Sequence, residues 1–489
     1  MVRNKVHLDF ETRRKYCYLI APRSLSRRKR SEMTIDPGQA QKREFPRYGL
    51  YLLLVVYTFC FLDRQVINIL AEPIKRDLGL SDAQLGLLTG LSFAVFYTAL
   101  GIPVARLSES KNRSRIMVGC LTIWSSFTML CALASNLGWL LAARVGVGFG
   151  EAGCFPASQS MISEYLPPER RAWSLSVFMM GAPLGLLLGM VVGGAVAAHY
   201  GWRTAFVAAG APGLLIAVLV RLLLPDPNRD DRIANAAPAP SFRKVVRELT
   251  SRKGFWPLII GMSFAAFAAY GQTAFIASFF FRVFSADLAH GGQARGPVGY
   301  IGTVLGISLG LGGAIGMLIG GYLGDRFAKR NVRGYLSVAS VGCLLLAPAF
   351  LCVLNAPSFP LAMALLLPAT MLNSVWSGPA YAALQSMACE RSRATAAAIA
   401  LLFLTLFGLG LGPLSLGALS DHLGRSLGTA EGLRWSLAAS TGMNFLSAFA
   451  FWLAGRRMHA GIEPAAGDGE SPIKFSSRPI EEGSDNVPR

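Results

Sequence analysis

Charged residues are scarce in this sequence. They make up 15% of its 489 residues, whereas hydrophobic residues make up 53%. A soluble protein has about a quarter charged residues, and a soluble chain of this length usually divides into two or more domains. The shortage of charge therefore argues against a soluble enzyme or binding protein and indicates an integral membrane protein.

Histidine and clustered cysteine, the usual marks of a metal, haem or redox centre, are also lacking. The five histidines lie in the tails or at the ends of apolar runs, so no pair is placed to ligate a haem within a bilayer. The eight cysteines are scattered without metal-ligand spacing, and we interpret them as small packing residues. We therefore predict no metal site and no cofactor.

The N-terminal segment lacks the features of a signal peptide. Residues 1–32 are basic, but they contain neither an apolar core nor a small-residue cleavage site. Two interpretations stay open: translation begins at Met33, or these residues are a disordered cytoplasmic tail.

What the sequence does have is apolar runs of roughly twenty residues, the length of a helix that crosses the hydrocarbon core of a bilayer. There are twelve, named spans 1 to 12 here, with six on each side of the polar interval Asp226–Lys253. The predicted fold is all-α and integral to the membrane, with twelve transmembrane helices in two pseudo-symmetric six-helix bundles. The predicted bounds of spans 1 to 12 are 48–71, 83–107, 114–134, 137–160, 172–198, 204–224, 255–284, 297–324, 334–354, 359–388, 393–419 and 434–455.

The same pattern predicts the domain limits. An N-terminal bundle at 48–224 and a C-terminal bundle at 255–456 are joined by a cytoplasmic linker at 225–254. A basic cytoplasmic tail at 1–47 precedes them, and a disordered cytoplasmic tail at 457–489 follows.

The net charge of +19 is distributed as a topology signal. Lys and Arg cluster before span 1 and in alternate loops, whereas the loops at 135–138 and 355–360 carry none. The positive-inside rule therefore predicts that both termini and the linker are cytoplasmic, in the inner membrane of a bacterial cell. Attraction to anionic lipid is a lesser interpretation of the same charge, and no nucleic-acid partner is predicted.

The loops after spans 2 and 8 repeat one short motif. The second copy, "GYLGDRFAKR", covers 321–330, and the first, "ARLSESKNR", has Ala105 in place of its Gly and Glu109 in place of its Asp. This architecture and these loops resemble the major facilitator superfamily, whose signature after the same two helices is G-x-x-x-D-R-x-x-R-R. The resemblance implies a cytoplasmic gate between the two halves; the alternative is that the charges only set the topology. The implied gate residues are Glu109, Arg113, Asp325, Arg326 and Arg330.

Three stretches of the first half narrow the resemblance. They read "LDRQVINILAEPIKRDLGLSDAQLGLLTG", "RVGVGFGEAGCFPASQSMISEYLPPERRA" and "GWRTAFVAAGAPGLLIAVL". Together they resemble the Spinster-like branch, including its bacterial members. A neighbouring branch, the organic anion–cation symporters, shares the D-R pair of the first helix and the R-x-x-x-G-x-x-E pattern of the fourth.

Two acids and two arginines fall inside spans 1 and 4, where each is costly unless it is paired or faces a polar cavity. At 1.5 Å per residue, Asp63 lies roughly 21 Å and Arg144 roughly 24 Å from the cytoplasmic side, so the two are nearly level. Arg144 and Glu151 are two helical turns apart and share a face. We predict that Asp63 and Glu151 exchange protons, while Arg64 and Arg144 act as their charge partners and bind a substrate headgroup. A static ion pair that only fixes the packing is the alternative.

The corresponding spans of the second half carry polar but uncharged side chains. The predicted substrate-cavity residues are Tyr270, Gln272, Asn373 and Trp376, although Tyr270 and Trp376 serve equally well as packing aromatics. A cavity charged on one wall and aromatic or apolar on the other suits an amphiphile with an ionic headgroup. Eukaryotic relatives in the Spinster-like branch carry lysophospholipids or sphingosine-1-phosphate, so the resemblance implies a lysolipid-like substrate.

The leading hypothesis is a monomeric, proton-coupled secondary transporter that works by rocker-switch alternating access. No ATP-binding loop of the form G-x-x-x-x-G-K-[ST] occurs, so the energy would come from a gradient. The first alternative is a symporter or exchanger of small organic anions held by the two arginines. A membrane-embedded enzyme is less favoured, because no histidine-containing cluster is available for catalysis. A non-transporting receptor is the remaining alternative, and the pattern leaves symport and antiport open.

Overall fold

The computed structural model describes residues 48–110, 112–165, 168–224, 242–285, 287, 296–329, 331, 333–388 and 393–459. Within these ranges all regular structure is helical. The predicted tails, apart from a few residues, and most of the predicted linker lie outside the described residues.

Ten helical stretches in the described ranges are long and apolar enough to cross a membrane. One of them, Trp173–Leu223, has 51 residues and would be roughly 77 Å long if straight, more than twice the hydrocarbon thickness. It turns at Gly201, whose φ of 81° is not helical, and therefore makes two crossings. Leu137–Glu151 and Cys154–Tyr165 together supply span 4. The predicted all-α fold of twelve crossings is confirmed.

The observed bounds follow the predicted ones closely, with longer ends. The helices of spans 1 to 12 are Gly49–Leu78; Asp82–Gly86, Leu87–Leu91 and Ser92–Ser110; Arg113–Cys131; Leu137–Glu151 and Cys154–Tyr165; Pro168–Met179 continuing into Gly181–Leu223 for spans 5 and 6; Phe255–Val283; Gly296–Ala328; Arg333–Leu354; Phe359–Val375 and Ser377–Met387; Arg393–Phe403, Leu404–Leu411 and Gly412–Leu427; and Thr429–His459. A short helix, Phe242–Ser251, precedes span 7.

Local sequence explains where several helices begin and end. Span 1 continues seven residues beyond its predicted apolar limit, with Lys75 and Arg76 in its last turn, where basic side chains stabilise the helix dipole. It stops at Gly79, which adopts a left-handed φ of 64°. Span 2 then starts with a capping box between Ser81 and Gln84. Hydropathy therefore locates the part of each helix inside the bilayer and misses polar end turns.

The two halves pack against each other at one end of the molecule, called the far end here, where span 1 finishes and span 2 begins. A Cβ atom on Gly86 of span 2 would overlap the carbonyl of Pro413 in span 11, and one on Gly417 would overlap the carbonyl of Asp82. A Cβ on Gly302 of span 8 would likewise overlap the carbonyl of Met190 in span 5. Missing side chains thus allow close helix approach across the interface between the halves.

The opposite end, called the tail-side end because span 1 starts there and span 12 finishes there, is organised differently. The tail-side helices of spans 4 and 5, Cys154–Tyr165 and Pro168–Met179, pack chiefly within the first half. Those of spans 10 and 11, Ser377–Met387 and Arg393–Phe403, pack chiefly within the second half. The described parts of the two halves are therefore joined mainly at the far end.

The predicted gate residues lie at the tail-side end. Asp325 and Arg326 are exposed; Asp325 accepts a hydrogen bond of 3.0 Å from Tyr335, and Arg326 donates one of 3.3 Å to Tyr322. Both tyrosines belong to the second half. Arg113 is buried at the start of span 3. The Glu109 side chain and all of Arg330 lie outside the described residues, so the gate stays a prediction.

Candidate functional site

Arg64 lies at the centre of a buried site formed by spans 1, 2 and 4. Its Nε donates a hydrogen bond of 2.6 Å to Oε2 of Glu151. The Glu151 side chain is fully buried, whereas 16% of the Arg64 side chain is exposed. Arg64 is the exposed member of the pair, and its hydrogen bond compensates the charge of Glu151, which has no direct contact with water.

Three aromatic rings surround the Arg64 guanidinium. Its Cζ lies 4.6 Å from the ring centre of Phe93, 4.7 Å from that of Tyr97 and 5.3 Å from that of Phe61. Arg144 approaches the same Phe93 ring, at 5.6 Å. Cation–π attraction over ring faces stabilises a cation in a dry site, so Phe93 holds both arginines close to one point.

Asp63 does not pair with either arginine. Its Oδ2 accepts a hydrogen bond of 2.5 Å from the Thr128 hydroxyl of span 3, and its Oδ1 is buried without a partner among the described residues. Arg144 is 1% exposed, and its Nε and Nη1 have no hydrogen-bond partner in the same ranges. The sequence predicted that these residues come together, which they do, but it did not predict which acid binds which arginine.

A cavity lies next to this site, between the two halves, with about 410 Å³ of empty space including open solvent. Spans 1, 2 and 4 supply one wall, including both arginines, and spans 7 and 11 supply the other. Asp63 and Glu151 are not among its lining residues, so the arginines separate the acids from the cavity. The lining residues are Phe61, Arg64, Gln65, Asn68, Thr89, Phe93, Arg144, Tyr270, Thr273, Ala274, Leu409 and Pro413.

A second cavity, with about 290 Å³ of empty space including open solvent, lies within the second half and shares Thr273 with the first. Its wall is mostly apolar, with Gln272, Thr370 and Asn373 as its other polar members. The Gln272 amide donates to Ser440 at 3.0 Å, whereas Oδ1 of Asn373 is buried with no partner in the described part of the chain. The apolar lining residues are Ile276, Leu309, Leu346, Phe350, Leu366 and Ala369.

The four predicted cavity residues are therefore distributed over three places. Tyr270 lines the first cavity, and Gln272 and Asn373 line the second. Trp376 is 7% exposed and stacks on Phe451 in the core, with ring centres 6.2 Å apart. It lines neither of the two cavities, so its assignment to the substrate cavity rests on the sequence alone.

The far end carries a second buried charge cluster that the sequence did not identify. Arg282 of span 7 donates to Glu72 at 2.9 and 3.1 Å and to both oxygens of Asp82 at 2.7 Å. Lys75 also donates to Asp82, at 2.5 Å. Asp421 of span 11 accepts from the backbone N–H groups of Asp82 and Ala83, at 2.9 and 2.8 Å, and so caps span 2 from the other half.

A signal for this cluster did exist in the sequence. Glu72, Asp82, Arg282 and Asp421 all stand at ends of apolar runs that meet on the same side of the predicted topology. Thr128 and the rings around Arg64 gave no comparable signal, because a lone threonine or phenylalanine in an apolar span is ordinary. In the part of the chain described, no group of three or more His, Cys, Asp or Glu side chains is placed to hold a metal ion.

Known proteins similar to this chain are membrane transporters. Residues 53–409 match the Major Facilitator Superfamily. An MFS-type efflux pump of Mycolicibacterium smegmatis is 33% identical over 413 residues, which is 84% of this chain and 93% of the pump. The uncharacterized transporter YybO of Bacillus subtilis is 25% identical over 313 residues, 60% of this chain and 68% of YybO.

Solved structures agree with the sequence relatives. A bacterial homolog of the human lysosomal transporter Spinster, inward-facing and unoccupied, has a TM-score of 0.74 and 31% identity, covering 86% of this chain and 98% of the homolog. The nucleoside transporter NupG has a TM-score of 0.65 at 14% identity, over 83% of this chain and 98% of NupG, and shows the fold alone. The chain belongs to the major facilitator superfamily, in its Spinster-like branch, and is an integral membrane transporter.

Proposed function

We propose that this transporter couples proton movement to the transport of an amphiphilic or anionic small molecule, lysolipid-like in form, by rocker-switch alternating access. The observation that carries the proposal is the pair of arginines on one wall of a cavity that adjoins a second, apolar cavity. Two of the buried N–H groups of Arg144 have no partner among the described residues. Buried N–H donors without a hydrogen bond are costly, so an anionic ligand that accepts from them would stabilise Arg144.

The two cavities would bind different parts of an amphiphile, the first its headgroup and the second its acyl chain. An anionic headgroup would contact Arg64 and Arg144, because guanidinium groups bind phosphate and carboxylate through paired N–H donors. An acyl chain would pass Thr273, which lines both cavities, and lie among the apolar side chains of the second cavity. Tyr270 would cover the junction from span 7.

The acids behind the arginines supply the coupling. Glu151 keeps Arg64 as a partner at 2.6 Å, whereas Asp63 has a hydroxyl and, in the described ranges, no ion-pair partner. An anion that draws Arg144 towards the cavity removes positive charge from Asp63, and a proton then compensates the carboxylate. Substrate binding and protonation would thus favour each other, as thermodynamic linkage requires.

The membrane orientation is part of the proposal. With the tail-side end in the cytoplasm, the far end faces outwards, and its closed contacts make this an inward-facing structure. Single cysteines placed at Asn112 and Arg457 should then resist impermeant thiol reagents applied to intact cells, whereas one at Ser135 should react. Ready labelling of Asn112 and Arg457 from outside would overturn the orientation.

Purified protein in proteoliposomes tests the function. A pH gradient should drive accumulation of radiolabelled oleoyl-lysophosphatidylglycerol, and Arg144→Ala should abolish binding of this probe. Arg221→Ala, which changes a basic residue in the exposed last turn of span 6, serves as the control. No pH-dependent uptake of the lysolipid by wild type would contradict the proposal.

The first cavity also favours a second candidate substrate. Both arginines line it, so a small carboxylate without an acyl chain would meet the same two guanidinium groups. Accumulation of succinate, with no uptake of the lysolipid, would establish the organic anion transporter instead. Leu366→Trp, which fills the second cavity, distinguishes the two because it should block only the lysolipid.

A further inference from the structure

Thr128 makes the single hydrogen bond to the Asp63 carboxylate in the described residues. The distance from its Oγ1 to Oδ2 of Asp63 is 2.5 Å, and both residues are 1% exposed. Span 3, which carries Thr128, supplies no lining residue to either cavity. The hydroxyl therefore acts on Asp63 and is not placed to contact a substrate.

Three other helical threonines of the first half behave differently. Thr58, Thr89 and Thr122 each donate to the carbonyl four residues earlier in the same helix, at 2.9 Å. This back-bond is the usual choice for a threonine inside an apolar helix. The Thr128 hydroxyl instead leaves its own helix and binds span 1, so its direction is set by Asp63.

The surroundings of Asp63 make this bond decisive for its carboxyl group. The ionisable groups that interact electrostatically with it are Glu151 and Arg144 of span 4, Arg64 and Cys60 of span 1, and Cys131 of span 3. The part of span 5 that packs beside it, 181–194, contains no ionisable side chain. None of these groups is hydrogen-bonded to Asp63, so within the described residues Thr128 alone fixes how the carboxyl is turned.

We propose that Thr128 is a positioning residue for proton exchange at Asp63, which rests on the proposed proton coupling. Its bond occupies Oδ2 and leaves Oδ1, which has no partner in the described ranges, as the oxygen that binds the proton. After protonation at Oδ1, Oδ2 is a carbonyl oxygen and still accepts from the hydroxyl. The proton comes from water on one side of the membrane and returns to water on the other, while the carboxyl keeps one orientation.

Infrared titration of purified protein tests this without any substrate. The absorption band of the protonated Asp63 carboxyl is assigned as the band that is lost in Asp63→Asn. Its intensity is then measured as a function of pH. In Thr128→Val the midpoint should rise by about one pH unit, because a hydrogen bond to the charged form is lost. Thr128→Ser should stay near wild type, and so should Thr122→Val, whose hydroxyl bonds within its own helix on the exposed side.

Transport supplies the second measurement. Thr128→Val should lower pH-driven accumulation of the lysolipid about tenfold, while exchange at equal pH changes by less than about twofold. An unchanged midpoint in Thr128→Val, or no rescue by Thr128→Ser, would overturn the role. If Thr128→Val does not fold, Thr128→Ala is compared with Thr128→Ser in the same way. If wild type fails to transport while Thr128→Val still shows the infrared shift, the proposed function is contradicted and the effect of Thr128 on Asp63 protonation stands.

Discussion

The two buried charge clusters of this transporter differ in which parts of the chain they join. The central pair, Arg64 with Glu151, lies wholly within the first half. At the far end, Arg282 of the second half binds Glu72 and Asp82 of the first. A pair inside one half survives when the halves rotate as rigid bodies, whereas a pair between halves must break. Position relative to the interface, more than burial, therefore separates an ion pair that persists during such a rotation from one that breaks.

Of the variants that test this comparison, Asp63→Asn, in the central site, should have the largest effect on transport. The amide cannot bind or release a proton, so gradient-driven accumulation should be lost, while exchange at equal pH is partly retained. The measurement is uptake against exchange in proteoliposomes. Asp77→Asn is the matched control, because Asp77 is an exposed acid of the same span that binds Arg203 at 2.7 Å. If the Asp63→Asn protein still concentrates substrate, Asp63 is not the proton carrier, and Glu151 becomes the leading candidate.

Arg282→Gln should open the far end. It leaves Glu72 and Asp82 buried without their main cation, and removing one partner of a buried pair costs about 3–5 kcal/mol. Spin labels at Ser135 and Asn355, exposed far-end positions in opposite halves, should then show a longer distance. Arg203→Gln removes a far-end arginine that bonds to Asp77 and Ala134 of the first half, and it should leave that distance unchanged. Equal distances in both variants would show that Arg282 does not hold the far end closed.

Arg64→Lys should weaken substrate binding while the fold is retained. Lysine keeps the charge but loses the planar guanidinium that lies among Phe61, Phe93 and Tyr97. The expected loss is about 1–2 kcal/mol, seen as a rise in KM of roughly 5- to 30-fold with a smaller change in the maximal rate. Arg76→Lys, at an arginine whose side chain is 70% exposed, is the control.

Asp325→Asn should have the smallest effect in the state described here. Asp325 is exposed and accepts one hydrogen bond from Tyr335, so the change in unfolding free energy should be within about 0.5 kcal/mol. Tyr335→Phe, which removes only that bond, should match it. If the predicted gate forms when the far end opens, Asp325→Asn should lower the fraction of molecules whose tail-side end is closed. The measurement is the distance between spin labels at Arg115 and Arg457, which Tyr335→Phe should leave unchanged.

The sequence was sufficient for the fold because a membrane span is a local property. Twenty apolar residues and alternating basic loops require no knowledge of distant partners. Counting residues along spans 1 and 4 likewise placed Asp63 level with Arg144. The pairing of Arg64 with Glu151, and of Asp63 with Thr128, depends on which face each helix turns to its neighbours. That orientation is decided by packing such as Gly150 against the Trp124 backbone, which no single span encodes.

Gly201 has a mechanical consequence. It joins spans 5 and 6 without a loop, and span 5 packs on span 8 of the other half at Gly302 while span 6 packs on span 3 at Ser125. Because a single residue connects the two helices, no loop is available to absorb a displacement of span 5 relative to span 6. A shift of span 5 along the interface is therefore transmitted directly to span 6 and onwards to span 3, the helix that carries Thr128.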